Sequence, residues 1–213
     1  MIVYIFMTVC FCYNVKKNLP STDPRSQIDA EFDSPSTIIA IKTALESGGH
    51  TVIEIEADEE CYLKLHKLRT QLDIVFNIAE GVYGDTRESQ VPMYCDVLQI
   101  PYTHSSALTH AIKLDKSLTK KVLTYHGINT PRFQLFSNSQ EALSQDMTYP
   151  ILLKPNAEGS SKGILNDNLV YNEKQLRTRL DWLFKSFDAH VLAEEFLSGR
   201  EFTVALLGNP PQV

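Results

Sequence analysis

Short apolar runs alternate with helical patterns through the first third of the sequence, and this alternation constrains the fold more than any other feature. Residues 2–6, 51–55 and 73–78 are rich in β-branched and aromatic side chains, as expected for strands covered on both faces. Amphipathic segments separate these runs at residues 34–47 and 59–71. The order of strand, helix, strand, helix and strand predicts an open parallel sheet with right-handed crossovers and helices on its faces.

The loops after the first and third predicted strands are candidate parts of a ligand site. Residues 14–33 are polar and contain two prolines, and residues 77–87 follow the third strand. Ligands of open parallel sheets bind beyond the carboxyl ends of the strands, where these two loops begin. A loop as long as the first one is usually functional or mobile in a compact domain. Topology alone therefore selects both loops.

Charge and composition argue against several broad classes of protein. The 213 residues include 20 basic and 26 acidic side chains, and the net charge of −6 argues against a surface that binds nucleic acid by counterion release. Hydrophobic residues make up 43% and charged residues 22% of the chain, as in ordinary soluble domains, so nothing indicates disorder or a fibrous repeat. A bound phosphate would have to be held by local groups.

The cysteines and the amino-terminal run favour a cytoplasmic protein without a membrane segment. Cys10, Cys12, Cys61 and Cys95 form no CxxC pair and have no accompanying histidine spacing, so they predict neither a zinc site nor a disulfide framework. We interpret them as reduced, mostly buried thiols. The apolar run at residues 1–13 lacks a preceding basic segment and is too short to cross a bilayer, so we interpret it as a buried strand.

A predicted strand that ends in a lysine and opens into a loop of small residues occupies residues 149–164. The strand end would hold Lys154 rigidly, and the Gly-Ser-Ser-x-Gly loop at 159–163 would let backbone N–H groups turn toward one point, which makes a concave anion site. A phosphate would fit such a site. The segment is not a standard P-loop, because its lysine precedes the glycines. Taken alone, a hairpin turn with a chance lysine explains it equally well.

The carboxyl-terminal half shows shorter strands around one helix. Strands are predicted at residues 133–136, 151–154, 191–197 and 201–207, and a helix at about residues 172–187. Before them, Asp115 and Lys116 open another amphipathic helix. A lysine in the first turn of a helix interacts unfavourably with the helix dipole. Its position therefore suggests a use, although a solvated lysine is the simpler interpretation.

Eight separated motifs occur in the order that one known family shows. They are Phe76-Asn77-Ile78-Ala79-Glu80-Gly81, Arg87-Glu88-Ser89-Gln90-Val91-Pro92, Ile100-Pro101-Tyr102-Thr103, Asp115-Lys116-x-x-x-Lys120, Gly127-Ile128-x-Thr130-Pro131, Leu153-Lys154-Pro155, Gly159-Ser160-Ser161-x-Gly163 and Glu194-Glu195-Phe196-Leu197-x-Gly199-Arg200-Glu201-Phe202. With these motifs, the chain resembles the D-alanine–D-alanine ligase family of the ATP-grasp superfamily from about residue 31 to about residue 209.

The resemblance implies an α/β fold in two parts. Residues 1–111 would form a Rossmann-like, pre-ATP-grasp domain with an open parallel sheet. Residues 112–190 would form the first subdomain of an α+β ATP-grasp domain, and residues 191–213 would begin its second subdomain. In the family, the closing lid, a substrate-binding arginine and the Mg²⁺ carboxylates lie beyond the point that corresponds to Val213. The ATP-grasp domain is therefore expected to be truncated.

The resemblance also implies which residues hold the phosphates of ATP. Lys116 and Lys154 would act as two phosphate clamps. The small-residue loop would cover the γ-phosphate, with Ser161 closest to it. The loop residues assigned to ATP are Gly159, Ser160, Ser161 and Gly163.

The remaining implied roles concern the base, the ribose and the amino-acid substrate. Adenine would be read, mostly through the backbone, by Glu194, Glu195, Phe196 and Leu197. Glu201 would bind the ribose. Glu31 and Ser160 would face the amino-acid substrate and are the expected catalytic residues. For Glu31 the simpler interpretation is an acidic side chain solvated in a polar loop.

The function implied by the resemblance is an ATP-dependent carboxylate–amine ligation. ATP would phosphorylate the carboxylate of one amino acid, and the amine of a second would attack the acyl phosphate to give a dipeptide for peptidoglycan biosynthesis. The implied cofactors are ATP and Mg²⁺, with the metal ligands expected beyond Val213. The implied partners are ATP and small amino acids in the cytoplasm, with no nucleic acid and no membrane. A homodimer is a further expectation, since the first domain of the family often dimerises.

Two departures from the family pattern leave other functions open. Glu80 precedes Gly81 where the family commonly has a histidine, which alters the contact to the substrate carboxylate and weakens the case for D-alanine. The shorter length removes the expected metal ligands, which neutralise charge during phosphoryl transfer. The alternatives are therefore a nucleotide-binding module without ligase activity and a ligase for other amino acids.

Overall fold

A computed structural model of the chain describes residues 6–17, 29–187, 189–206 and 208. The described residues form thirteen regular elements, apart from short 3₁₀ turns. In chain order they are β1 (Thr8–Tyr13), α1 (Pro35–Ser47), β2 (Thr51–Glu56), α2 (Cys61–Leu68), β3 (Ile74–Asn77), α3 (Gln90–Leu98), α4 (Ala107–Leu114), α5 (Lys116–Tyr125), β4 (Phe133–Phe136), β5 (Ile151–Pro155), β6 (Leu169–Val170), α6 (Glu173–Ser186) and β7 (Val191–Glu195).

The first three strands form the predicted parallel sheet. Its order is β2-β1-β3, so the first strand is central. Thr8 pairs with Thr51 on one side, and Val9 pairs with Ile74 on the other. The prediction of a parallel sheet with helical crossovers is therefore confirmed, and the loops after β1 and β3 begin side by side at one edge.

The first strand that the structure describes lies later in the chain than the predicted one. We expected it at residues 2–6, of which residues 2–5 lie outside the described part of the chain, and Phe6 is not in a strand and is 70% exposed. The strand runs instead through Thr8–Tyr13, where Val9, Cys10, Phe11 and Cys12 are all buried. Cysteine packs as a small apolar residue, so this run satisfies the requirement for a strand covered on both faces.

The core of the first sheet contains all four cysteines. Cys10 and Cys12 lie on β1, Cys61 begins α2, and Cys95 lies on α3. Each is a free, buried thiol. Burial raises the pKa of Cys95 to about 12, as expected for a thiol that packs rather than reacts.

The second sheet is antiparallel, with the order β4-β7-β5-β6. Helix α6 lies in the predicted range and covers one face of the sheet, where Leu176, Leu180 and Leu183 are completely buried. Its amino terminus is capped by Asn172, whose side-chain oxygen accepts a hydrogen bond from the Gln175 backbone N–H at 3.0 Å. The helices of the described residues include none that combines the length and apolarity needed to cross a lipid bilayer.

A final strand predicted at residues 201–207 is absent from the described residues. Residues 201–206 form no regular structure there, and Leu207 lies outside the description. A strand needs a neighbour that satisfies its backbone hydrogen bonds, and no described strand pairs with this segment. Its apolar side chains are accordingly exposed, as in Phe202 at 77% and Val204 at 63%.

Candidate functional site

The two loops selected by topology meet directly at the carboxyl edge of the parallel sheet. Asn14 follows β1, and its side-chain oxygen accepts hydrogen bonds from the backbone N–H groups of Glu80 at 2.9 Å and Gly81 at 3.0 Å. Its amide nitrogen donates to the Ala57 carbonyl at 3.0 Å. One buried asparagine thus joins the loops that follow all three strands. This end of the sheet is the first wall of the candidate site.

Glu31, in the loop after β1, is buried and ion-paired. Its side chain is only 1% exposed, and Arg87 Nη2 donates to both carboxylate oxygens, at 3.0 Å and 2.7 Å. The backbone N–H of Gly159 also donates to Glu31. The interpretation of Glu31 as a solvated loop acid is therefore wrong. Its predicted contact with an amino-acid substrate stays a prediction.

Arg87 connects this wall to the loop that follows β5. Besides Glu31, it donates to the Glu158 carboxylate at 2.7 Å and to the Ala157 carbonyl at 2.9 Å. Lys162 also donates to Glu158, at 2.8 Å. The carboxylate partners raise the pKa of Arg87 although burial opposes that shift. A single guanidinium therefore links segments that are far apart in the sequence.

The small-residue loop has a strained backbone. Ser160 and Ser161 have positive φ angles of 45° and 62°, and both are exposed. Such angles are uncommon for residues with a Cβ atom, and they occur often at functional sites. Gly163, with φ 76°, must be glycine, since a Cβ atom there would lie 2.7 Å from Pro155 Cγ. The predicted small-residue loop is thus a turn with three positive φ angles, and its two serines are exposed to solvent.

The alternation of β5 places Lys154 on the site face. Ile151 and Leu153 are buried in the core, so Lys154 points to the opposite side of the strand. There it donates to the carboxylate of Glu194 on β7. Lys120 Nζ donates to the other oxygen of Glu194 at 2.8 Å. The two lysines outweigh the effect of burial and lower the pKa of Glu194.

Lys116 reaches the same place from the start of α5. Asn156, directly after β5, ties the helix to the strand, because its side-chain oxygen accepts from the Ser117 N–H at 2.9 Å and its nitrogen donates to Asp115 at 2.9 Å. Lys116 Nζ then donates to the Asn156 carbonyl at 3.3 Å and to the Glu158 carbonyl. Burial, and next the charge of Lys154, lower the pKa of Lys116. Two cations that repel each other favour a bound anion.

Carboxylates gather on the opposite side of the loop. Glu88 is buried and accepts from Lys113 at 2.5 Å and from His110 Nδ1 at 3.5 Å. A Cβ atom at Gly159 would lie 2.9 Å from Glu31 Oε1 and 3.4 Å from Glu88 Oε1, so only glycine allows this approach. Burial, followed by the charges of Glu88 and Glu31, raises the pKa of Glu80 to about 7.

The other residues predicted to read adenine and ribose follow Glu194 at the end of β7 and beyond it. The Glu195 side chain accepts from Thr148 at 3.0 Å and from Arg132 at 2.9 Å. The backbone N–H groups of Glu195 and Phe196 donate to carbonyls of the neighbouring segments, so they are already used. Phe196, Leu197 and Glu201 are exposed.

Several residues at the site had no predicted role. They are Lys120, Arg87, Glu88 and Glu158. Lys120 lies one helical turn after Lys116, a spacing that puts both side chains on one face, so the sequence did contain a signal for it. The partners of Arg87 come from distant segments, and no local pattern could have identified them. Among the described residues, no group of three or more His, Cys, Asp and Glu side chains could hold a metal ion.

Comparisons with known proteins identify relatives of the chain. Residues 115–213 match the family model described as D-ala D-ala ligase C-terminus. D-alanine–D-alanine ligases of Sphingopyxis alaskensis and Syntrophotalea carbinolica are 38% and 35% identical to the chain, each over 172 residues. These matches cover 79% and 81% of the chain, but 54% of each relative. The chain thus spans about half the length of the relatives it matches.

Solved structures agree with this result for the fold. The crystal structure of a D-alanine–D-alanine ligase from Bacillus anthracis, complexed with ATP, superposes with a TM-score of 0.66 and 23% sequence identity. The match covers 91% of the chain and 60% of that protein. The mixed architecture of a parallel sheet followed by an antiparallel sheet is therefore that of ATP-grasp ligases.

Proposed function

Because the chain belongs to the D-alanine–D-alanine ligase family, we propose that it binds ATP and takes part in an ATP-dependent ligation of a carboxylate to an amine. The observation that carries the proposal is the position of Lys116, which donates to the Asn156 and Glu158 carbonyls directly before the loop at Gly159–Gly163 and is within reach of the charge of Lys154. Burial, and next the charge of Lys154, lower the pKa of Lys116, and an anion bound between the two ammonium groups would stabilise their charged forms. A triphosphate supplies such an anion.

The residues of this chain would bind and orient ATP rather than react with it. Lys116 and Lys154 would neutralise phosphate oxygens, and backbone N–H groups of the strained loop would donate to the terminal phosphate. When bound, ATP supplies the phosphoryl group that activates a carboxylate. Catalysis would then rest on positioning and charge stabilisation, since no protein nucleophile is required. We assign no described residue to Mg²⁺, which we expect to accompany ATP.

The amino-acid substrate would bind on the carboxylate side of the loop. Glu31 and Ser160 are the residues that we expect to face it, one on each side of Gly159. The acidic surroundings there suit the ammonium group of an amino acid. The reaction would join two amino acids through an acyl phosphate.

A titration of the purified protein with ATP tests the proposal. We expect wild-type binding, and Lys154→Ala should weaken it about 10–100-fold, because a hydrogen bond to a charged group contributes about 1.5–3 kcal/mol. Lys185→Ala is the matched control, since Lys185 is an exposed lysine on α6. The absence of wild-type binding, or equal affinities of the wild type and Lys154→Ala, would refute the proposal.

A ligase for an amino acid other than D-alanine is the second candidate, and Glu80 favours it. Glu80, whose pKa is raised to about 7, is either neutral or negative, so it cannot offer a substrate carboxylate the positive charge of a protonated histidine. Phosphate release measured across a panel of D- and L-amino acids separates the two candidates. Phosphate release that requires D-alanine supports a ligase for D-alanine. Phosphate release with other amino acids but not with D-alanine supports the second candidate.

The cellular setting that we propose follows the family. Four free, buried thiols support a reducing compartment such as the cytoplasm. The dipeptide product would enter peptidoglycan biosynthesis. We also propose a homodimer, with ATP and small amino acids as the ligands and neither nucleic acid nor membrane as a partner.

A nucleotide-binding module without ligase activity would bind ATP but release no phosphate with any amino acid.

A further inference from the structure

Arg87 connects distant segments of the chain, and the ligation chemistry described above gives it no role. It donates to both oxygens of Glu31, to Glu158 and to the Ala157 carbonyl, at distances of 2.7 to 3.0 Å. Its side chain is only 10% exposed. Through these contacts it joins the loop after β1 to the segment that leads into the small-residue loop, in which Ala157 lies 70 residues after Arg87.

The contacts matter because of the charges around Gly159. The N–H of Gly159 faces the Glu31 carboxylate, Glu88 Oε1 would lie 3.4 Å from a Cβ atom at this glycine, and Glu158 precedes it. Three carboxylates therefore surround the entry to the loop that would receive the terminal phosphate. Without a cation, they would repel a phosphate by about 2 kcal/mol for each unit charge at about 8 Å. Arg87 ion-pairs with two of them, Glu31 and Glu158.

We propose that Arg87 is a positioning residue for nucleotide binding: it holds Ala157–Gly159 against the loop after β1 and offsets the charges of Glu31 and Glu158, so that the loop at Gly159–Gly163 can receive the terminal phosphate of a nucleoside triphosphate. The inference rests on the proposed binding of ATP at this loop. Arg87 would contact neither the base nor the α- and β-phosphates of the nucleotide. Lys116 and Lys154 would hold these two phosphates.

The terminal phosphate provides a readout that a merely structural role would not change. ATP and ADP share the base, the ribose and two phosphates, so the ratio of their affinities isolates the contribution of the terminal group. An arginine that only stabilises the fold would lower the affinities for both nucleotides together, or lower neither. An arginine that prepares the loop for the terminal phosphate would lower the affinity for ATP selectively.

The experiment is a calorimetric titration of wild type, Arg87→Ala and Arg87→Lys with ATP and with ADP. We expect Arg87→Ala to weaken ATP binding about tenfold and ADP binding less than about twofold, because the carboxylates that lose Arg87 as a partner lie beside the loop that would receive the terminal phosphate. Arg87→Lys keeps the charge but loses the planar pair of nitrogens that reaches the carboxylates and the Ala157 carbonyl together, so it should weaken ATP binding selectively by an intermediate factor. Arg177→Ala is the matched control, since Arg177 also links segments, donating to the Ser139 carbonyl at 2.8 Å, but lies on α6 away from the loop.

A rescue variant tests the charge argument. Adding Glu31→Gln to Arg87→Ala removes one uncompensated carboxylate and should recover part of the lost affinity for ATP. If Arg87→Ala does not fold, the selective loss in Arg87→Lys carries the test. An unchanged ratio of ATP to ADP affinity in the Arg87 variants overturns this inference and leaves the proposed function intact. Wild-type protein that binds neither nucleotide overturns both.

Discussion

Glu194 and Glu80 are two half-buried or buried carboxylates of the same candidate site, and their surroundings have opposite charge. Glu194, on β7, lies between Lys120 and Lys154, which lower the pKa of its carboxyl group despite burial. Glu80, after β3, is influenced by burial and by the charges of Glu88 and Glu31, and its pKa is raised to about 7. A glutamate therefore keeps its negative charge at one end of the site, whereas at the other end it takes up a proton more readily.

The difference indicates how the site divides its work. On the lysine side, Lys120 and Lys154 share the carboxylate of Glu194, and Lys116 donates to backbone carbonyls, so a net positive charge is left for phosphates. On the carboxylate side, Glu31, Glu80 and Glu88 exceed their local cations, which suits a ligand with an ammonium group. Gly159 lies at the boundary, with Glu31 hydrogen-bonded to its N–H group. In the proposed ligation, the cationic side would hold the phosphates of ATP, and the acidic side would suit the ammonium group that an amino-acid substrate also carries.

The largest effect is expected from Glu194→Gln, which tests the lysine side. The substitution leaves Lys120 and Lys154 partly buried without a counter-ion, and breaking a buried pair in this way costs about 2–4 kcal/mol of unfolding free energy. Urea denaturation at neutral pH measures the change. Because the folded pKa of Glu194 is lowered, its stabilisation is present above its unfolded pKa and is lost as the pH falls through the folded value.

Glu195→Gln is the matched control for Glu194. It lies on the same strand, but its partner Arg132 is 62% exposed, so the expected loss is below about 1 kcal/mol. Equal losses of unfolding free energy for the two variants would show that the pairing of Glu194 with two lysines stabilises the fold no more than an ordinary surface ion pair does. The comparison between the two sides of the site would then fail.

A smaller effect of opposite sign is expected at Glu80. Its carboxyl pKa rises from an ordinary value of 4.5 to about 7 on folding, so the folded state holds the proton more tightly. The contribution of Glu80 to stability therefore decreases as the pH rises from about 4.5 to about 7. Glu80→Gln should leave stability nearly unchanged at pH 5 and increase it at pH 8, because the amide carries no charge to repel Glu88 and Glu31.

Thermal unfolding of wild type and Glu80→Gln at these two pH values measures the difference. Glu60→Gln, at an exposed glutamate next to α2, controls for the loss of one negative charge anywhere on the protein. A Glu80→Gln variant that is less stable than wild type at pH 8 would contradict the assignment of repulsion to this side. It would also remove the contrast with Glu194.

Much of the fold could be predicted from local patterns. The alternation of apolar runs and helices specified the parallel sheet, the amphipathic segment at residues 34–47 contains α1, and the predicted strand at residues 151–154 is β5, which carries Lys154. Local patterns failed where two segments met the same criterion. The run at residues 2–6 looked more like a strand than the cysteine-containing run that forms β1, although both are apolar.

The side-chain partners at the site could not be predicted in this way. Glu31 is 128 residues from Gly159, and the contact of Glu194 with Lys154 depends on the register of β7 against β5. Resemblance to the family assigned the backbone of Glu194 to adenine, whereas its side chain is engaged by two lysines. Contacts of this kind follow from the packing of distant elements, which no periodicity in the sequence records.

The smallest effect is expected from Lys64→Ala, which tests whether burial, and not charge alone, makes the candidate site sensitive. Lys64 donates to Asp58 at 2.6 Å, a distance like those at the site, but both side chains are 37% exposed. Water screens such a pair, so the expected loss of unfolding free energy is about 0–1 kcal/mol. Leu65→Ala, one residue away and completely buried, should cost about 2–5 kcal/mol and shows that the same urea assay detects a change in this helix. A loss at Lys64 as large as that at Glu194 would mean that the distance between two charges alone sets the energy of an ion pair. The sensitivity of Glu194 to substitution could then not be attributed to burial in the site.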